Sequence, residues 1–310
     1  VIVATVDAVD PLGAWRARFA HATRDLTAPV AVACSGGADS VALLALAVDA
    51  ALRPVAVHVD HGLRDRSGAE ASHVAALADA LGAEFRTARV RVDPGPNLEA
   101  RARGARYAAL EVARAEAGAD AVLVGHTADD QAETVLLNVL RGAAASGLAG
   151  MAARRGSVVR PLLGVRRSET RALCGALGLA VIDDPMNDDR AFRRVAIRHD
   201  VLPYLSALAE RDLVPVLARQ ADILRSDSEF LDELASRAWP GPDGPRAAGL
   251  VALPTPLARR AVRRWMGPPP PSIAEVERVL AVAAGGACAT ELTGGRVVRR
   301  SAGLLTLTVG

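Results

Sequence analysis

At 310 residues, 51 % of them apolar and 23 % charged, the chain has room for about two domains, and with only 3 % aromatics their cores must rest on Ala, Val and Leu. The net charge of +2 is set against Arg alone; no Lys occurs among the 37 basic residues, which excludes a Walker A phosphate loop. Three widely spaced cysteines (Cys34, Cys174, Cys288) form no CxxC pair, which argues against a disulfide framework or a zinc site, and no apolar run reaches membrane-spanning length.

The charge is divided along the chain. Residues 1–150 hold 14 Arg against 18 acidic residues (net −4), and residues 151–310 hold 23 against 17 (net +6). A basic second half suits a polyanion such as RNA, or is only an Arg-rich surface. The first residues are apolar but lack a basic n-region, so no signal peptide is expected and the cytoplasm is the expected compartment.

In chain order, residues 11–26 read as an amphipathic helix with Pro11 near its start. Val30–Cys34 is an apolar strand, followed by the glycine loop Ser35–Ser40 (SGGADS) and a long apolar helix. A strand feeding a Gly-rich turn that opens a helix aims backbone N–H groups at a phosphate. Gly36 and Gly37 remove the Cβ atoms that would hold a phosphate off the main chain, Ser35 and Ser40 add hydroxyls, and Asp39 offers a carboxylate for Mg²⁺. Arg53–Val59 is a second, buried strand ending in Asp60-His61-Gly62-Leu63-Arg64. Ser67–Leu81 is a helix opened by a capping box with Glu70. Phe85–Val92 is a third strand, Asp93–Asn97 a turn, Leu98–Gly118 a helix and Ala121–Val124 a fourth strand. The loop Gly125–Ala128 leads into the helix Asp129–Arg141. Gly142–Gly156 reads as a mobile loop, Val158–Leu163 as a fifth extended segment, and Ser168–Leu177 as a helix.

Strands alternating with helices predict an α/β fold with a Rossmann-like parallel sheet. Ligands in such sheets bind beyond the carboxyl ends of the strands, where SGGADS, DHGLR and GHTADD all fall. Val181–Arg198 is an Asp- and Arg-rich turn, and from His199 the pattern becomes helical. Two domains are therefore expected: a nucleotide-binding domain over 1–198 and a smaller, mainly helical domain over 199–310. The second contains linkers at Trp239–Gly249 and Met266–Pro271 and ends in a hairpin after the helix Ser272–Ala284.

The stretch Gly125–Thr134 (GHTADDQAET) is the second anchor. On a helix, Glu133 shares a face with Asp130 at three residues and with Asp129 at four. Such a pair could bind an ammonium, hold Mg²⁺ or take a proton; it could equally be an acidic helix N-terminus favoured by the dipole.

SGGADS resembles the SGGxDS pyrophosphate loop of the PP-loop ATP-pyrophosphatase superfamily. Together with VDHGLR, GHTADDQAETVLLNVLRGAAASGLAGM, RPLL, DDPMNDDRAFRRVAIRHDVLPYL and the Arg106-Tyr107 pair of NLEARARGARYAAL, it resembles the tRNA(Ile)-lysidine synthetase family. The likeness is strong over about residues 30–205. The chain departs from that family at Met186, where Ser or Thr is usual, and at Arg194-Val195, where Arg-Asn is usual.

The resemblance implies ATP and Mg²⁺ as cofactors. It also implies free L-lysine and isoleucine tRNA with a CAU anticodon as substrates. ATP adenylates the wobble cytidine, and the lysine ε-amine displaces AMP. The residues carried over are Ser35, Gly36, Gly37, Ala38 and Ser40 around the phosphates, Asp39 on Mg²⁺, and Arg106 on the leaving pyrophosphate. Asp130 and Glu133 would bind lysine, and His126 would sit against the base or nucleotide, or cap its loop. Asp60 and His61 would line the nucleotide pocket or serve as a strand-end turn. Arg190, Arg193, Arg194 and Arg198 would contact the tRNA backbone, or pair internally with Asp183, Asp184, Asp188 and Asp189.

A tRNA thiolase of the same superfamily needs sulfur-carrying cysteines, which the lack of a CxxC pair disfavours. A glutamine-dependent ligase needs a glutaminase domain for which there is no room. A non-catalytic nucleotide-binding regulator would release no pyrophosphate. The sequence leaves the oligomeric state open, a homodimer included.

Overall fold

The computed structural model describes residues 10–60, 67–91, 95, 98–183, 189, 190, 192–239 and 246–310. Several expectations lie outside the described residues: His61 to Arg64 of the DHGLR stretch, most of the 93–97 turn, Asp184, Met186 and Asp188, and the centre of the 239–249 linker.

The elements run α1 (Gly13–Thr23), β1 (Val30–Ala33), α2 (Ala38–Asp49), β2 (Pro54–Asp60), α3 (Ser67–Leu81), β3 (Glu84–Arg89), α4 (Leu98–Glu116) and β4 (Val122–Val124). There follow α5 (Ala128–Leu140), α6 (Ala145–Leu148), β5 (Arg154–Arg155), β6 (Val158–Val159), α7 (Arg167–Ala176) and α8 (Arg193–Ala196). A π turn over Ile197–Val201 then leads into α9 (Leu202–Leu208) and the long α10 (Val214–Ala238). Last come α11 (Ala247–Val251), α12 (Thr255–Met266), α13 (Ile273–Ala284), β7 (Ala289–Leu292), β8 (Arg296–Ser301) and β9 (Leu304–Val309).

Two compact units divide at Asp222. In the first, six strands are ordered β3-β2-β1-β4-β6-β5, parallel except for the β5–β6 pair. The parallel sheet expected from the alternation of strands and helices is therefore present. Residues of period two divide between its faces. Val30 and Val32 of β1, with Ala56, Leu123 and Val159, pack under α1, α2, α3 and α7, whereas Ala31, Val55, Val57, Val122 and Val124 pack against Leu110 and Ala113 of α4. Apart from Asp39, every residue of α2 from Ala38 to Ala47 is buried. Burying Leu43, Leu44 and Leu46 completely contributes on the order of 1.5–3 kcal/mol each, which fixes the direction in which the N-terminus of α2 points.

The sheet order reverses at β1: its sequence neighbour β2 lies on one side and β4 on the other. That switch point places the loops after β1 and β4 side by side at the carboxyl ends of the strands, the position ligands take in such sheets.

The 142–156 stretch, expected to be a mobile loop, is instead built on α6 and β5. The reason is non-local. Gln131, fully buried on α5, clamps Met151 with both amide atoms, accepting from its N at 2.8 Å and donating to its O at 3.0 Å, and Asn138 donates to the Gly147 carbonyl at 2.7 Å.

The second unit has its own core, with Leu250, Val262, Val276, Val279, Val282, Val298 and Leu305 buried around Trp239. Its terminal strands form a three-stranded antiparallel meander, β7-β8-β9, where one hairpin was expected. There are two turns because Gly294 and Gly295 (φ +74° and +72°) bend the chain before β8 and Gly303 (φ +78°) bends it again before β9.

Candidate active site

The glycine loop after β1 is held by its own side chains. Ser40 is buried; its Oγ donates to the Gly37 carbonyl at 2.9 Å and accepts from the Ser35 N–H at 3.2 Å. Gly36 has φ +87°, and a Cβ there would lie 2.6 Å from Cδ1 of Ile182, whose N–H donates to the Gly36 carbonyl at 2.8 Å. Gly37 stands at the N-cap of α2, Ala38 and Asp39 fall in its first turn, and Ser35 is exposed. The first N–H groups of a helix have no acceptor within it, so this turn is a ready anion receptor.

A close backbone approach joins the two anchors. A Cβ on Gly125, just past β4, would lie 2.9 Å from the Asp39 carbonyl oxygen. Only glycine allows the β4 loop to rest on the first turn of α2 in this way.

From that loop α5 projects its acidic first turn. Asp130, at N3, accepts from the N–H and Oγ of Thr127 at 2.8 and 2.9 Å, closing the helix start. Its other oxygen accepts from Arg167 Nη2 at 3.0 Å and Arg194 Nη2 at 3.1 Å. Glu133 is 0 % exposed and surrounded by guanidinium groups: Arg167 Nη1 at 3.3 Å, Arg194 Nε at 2.6 Å and Arg198 Nε at 2.7 Å. Arg167, on the first turn of α7, also reaches Asp39 with Nε at 3.4 Å, and Thr170 donates to the other oxygen of Asp39. Arg167 thus bridges all three carboxylates. Asp129 points elsewhere, to Arg166 (3.1 Å to each oxygen) and the Arg167 N–H (2.8 Å).

These surroundings separate the carboxyl groups. Burial pushes Asp39 above the ordinary carboxylate range, with Asp130 adding to the rise and Thr170 and Arg167 opposing it. Burial acts in the same sense on Asp130, but the fields of Arg167 and Arg194 outweigh it and leave that group below its ordinary value. His126 is driven down to about 3, first by burial and then by Arg103, Arg160 and Arg194, against the pull of Asp130. Arg106 is lowered by burial; its Cζ lies 5.6 Å from the Tyr107 ring centroid, and among the described residues no carboxylate pairs with it.

Asp60 ends β2, half-buried, with Arg89 Nε at 3.7 Å; its sequence neighbour His61 is outside the described residues. Of the four arginines offered as RNA contacts, Arg194 and Arg198 turn inward onto Asp130 and Glu133, Arg190 pairs with Asp200, and Arg193 is exposed. Asp183 pairs with Arg171 at 2.6 Å.

Sequence reasoning missed Arg160, Arg166, Arg167 and Thr170. Arg160 belongs to the RPLL stretch noted above, but nothing near Arg167 or Thr170 in the chain marks them as facing α2 and α5.

As for a metal, no group of three or more His, Cys, Asp or Glu is placed to hold an ion among the described residues. One carboxylate at the mouth of a phosphate loop is nonetheless a donor set that fits Mg²⁺, an ion commonly bound by one or two carboxylates together with substrate phosphates.

Residues 15–205 match the PP-loop domain family. A tRNA(Ile)-lysidine synthase from Salinispora tropica is 44 % identical over 96 % of this chain and 96 % of its own length. Another, from Mycolicibacterium paratuberculosis, is 44 % identical over 76 % of this chain and 73 % of its own. Among solved structures, the U34-tRNA thiolase NcsA of Methanococcus maripaludis, with its 4Fe–4S cluster, superposes with a TM-score of 0.58. It covers 70 % of this chain and 80 % of its own at 18 % identity, a likeness of fold alone. In this chain Cys34 and Cys174 are buried, and Cys288 is exposed in the second unit.

Proposed function

The chain belongs to the PP-loop family and, within it, to the tRNA(Ile)-lysidine synthases, and from that premise we propose how its residues divide the work. It is an ATP-dependent carbon–nitrogen ligase that joins free L-lysine to the wobble cytidine of the CAU anticodon of isoleucine tRNA, through an adenylated cytidine, with release of AMP and pyrophosphate. The glycine loop and the first turn of α2 receive the phosphates of ATP. Mg²⁺, held by Asp39, would neutralise phosphate charge there. Arg106, a cation with no carboxylate partner among the described residues, would neutralise charge on the developing pyrophosphate.

The observation that carries this reading is the Arg167 bridge between Asp39, at the phosphate loop, and Asp130 and Glu133, two carboxylates with no phosphate role. A site that must bring an amino acid to an activated base needs such a junction. Lysine brings ammonium groups and a carboxylate, and this cluster offers the complement of each. The ammonium takes Asp130 and Glu133, displacing guanidinium contacts. Asp130, below the ordinary carboxylate value, holds an ammonium as an anion and is poorly suited as a general base. The amine, of pKa about 10.4, must still shed a proton before it attacks. With Arg194 and Arg198 occupied inside this site and Arg190 paired with Asp200, the exposed Arg193 is the arginine of that turn best placed to meet a tRNA phosphate, and Arg190 would have to exchange Asp200 for one. A cytoplasmic setting accords with a tRNA substrate, and no described helix is long and apolar enough to cross a membrane.

The test is incorporation of labelled lysine, with ATP and Mg²⁺, into two isoleucine tRNA transcripts, one with CAU and one with uridine at the wobble position. Incorporation into CAU alone, abolished by Asp39→Ala, is expected. Pyrophosphate release without lysine transfer would show that another nucleophile is used.

A further inference from the structure

Next to the carboxylate cluster the structure holds an arrangement that the lysine-transfer scheme leaves unused. His126 lies past the end of β4, and its Nδ1 is 3.2 Å from Nε of Arg160. A guanidinium N–H can only donate, so Nδ1 presents its lone pair and the ring proton resides on Nε2. Arg160 is itself fixed: it is 8 % exposed, and its Nη1 donates to the Ala152 carbonyl at 2.8 Å. Ala152 directly follows Met151, which the buried Gln131 clamps with both amide atoms.

We propose that Arg160 is a positioning residue that locks His126 in its neutral Nε2–H form, so that the ring acts as a fixed hydrogen-bond donor to an acceptor oxygen of the nucleotide or the wobble cytosine. The proposal rests on the active site assigned above. It excludes general acid–base work by His126: the ring donates the same hydrogen bond through adenylation and lysine attack, and no proton changes hands. The charged groups facing the ring are Asp130 from α5, Arg103 from α4, Arg160 from the segment after β6 and Arg194 from α8. Three of the four are cations, which together with burial oppose a second proton on the ring.

The experiment uses protein with ¹⁵N-labelled histidine rings and long-range ¹H–¹⁵N correlation spectra from pH 5 to 8, with the signal of His126 assigned by its absence in His126→Gln. The expected spectrum shows a bare Nδ1 and a protonated Nε2, constant over the range. Arg160→Met should let the ring titrate or mix tautomers and lower kcat about tenfold, the scale of one hydrogen bond, with KM for ATP and lysine within about twofold. Arg160→Lys, which restores an N–H donor, should recover part of both signals. His126→Gln, whose amide nitrogen stands near Nε2, should retain more activity than His126→Asn. A protonated Nδ1 or a titrating ring in the unaltered protein overturns the proposal, and so does an Arg160→Met protein that loses activity with its ring spectrum unchanged. The spectra need neither tRNA nor lysine, so failure of lysine transfer itself would count against the proposed function and not against the tautomer.

Discussion

Replacing Glu133 by Gln keeps the shape of a side chain that is fully buried and removes the charge on which Arg167, Arg194 and Arg198 converge. Removing one partner of a buried ion pair costs about 3–5 kcal/mol, because the other charge is left uncompensated. Here the three guanidinium side chains are 22–27 % exposed, so water relieves part of the loss, and Arg167 and Arg194 keep Asp130. The lower end, about 3 kcal/mol, is the expected destabilisation of the first unit, roughly a hundredfold in its opening equilibrium. Native-state hydrogen exchange of the β1 and β4 amides reads that unit directly. Removing a cation as well, in Glu133→Gln with Arg198→Leu, should restore at least about 1 kcal/mol, a coupling of the size contacting residues show. KM for lysine should rise at least tenfold in the single variant. Exchange within about threefold of the parent, with no coupling to Arg198, would refute the reasoning that these charges hold one another in place.

Three other outcomes follow from the same geometry. Asp39→Asn should abolish ATP-dependent pyrophosphate release while leaving the protein at least as stable at pH 7: a carboxyl whose folded pKa is raised destabilises the fold progressively as pH rises from its unfolded value of 3.8 to its folded value, and the gain should vanish below 3.8 in urea titrations. For His126 the sign is opposite in pH. Its unfolded form binds a proton near 6.5 and its folded form only near 3, so stability falls as pH drops through that window, and His126→Gln should flatten this part of the stability–pH curve. Gly125→Ala places a methyl group 2.9 Å from the Asp39 carbonyl oxygen, backbone that cannot step aside; a loss of about 1–3 kcal/mol and of pyrophosphate release is expected in paired denaturation and activity assays.

Much of this protein is written locally. The SGGADS loop is legible because a strand, two glycines and a helix start are consecutive in the chain, and GHTADDQAET for the same reason. The alternation of apolar strands with helices was enough to set a parallel sheet and to put both loops at one rim, and the single glycine at 125 that lets them touch is part of the motif itself. Which charges meet at that rim was not written there. Asp129 and Asp130 have equal claims by spacing to share a face with Glu133, and only the family resemblance singled out Asp130. Only the position of α7 sends one to Arg166 and the other to the shared cluster. Arg194 and Arg198 read equally well as RNA contacts or as partners of nearby aspartates, yet they lie 61 to 65 residues from the buried Glu133 that they bind. Arg167 and Thr170 carry no local mark at all, and Arg160 is marked only as part of RPLL, with nothing to say that it meets His126. Long side chains with many rotamers take their direction from whichever opposite charge or acceptor the fold brings within reach. For these residues that partner was chosen by the packing of α5, α7 and α8 at the end of the sheet.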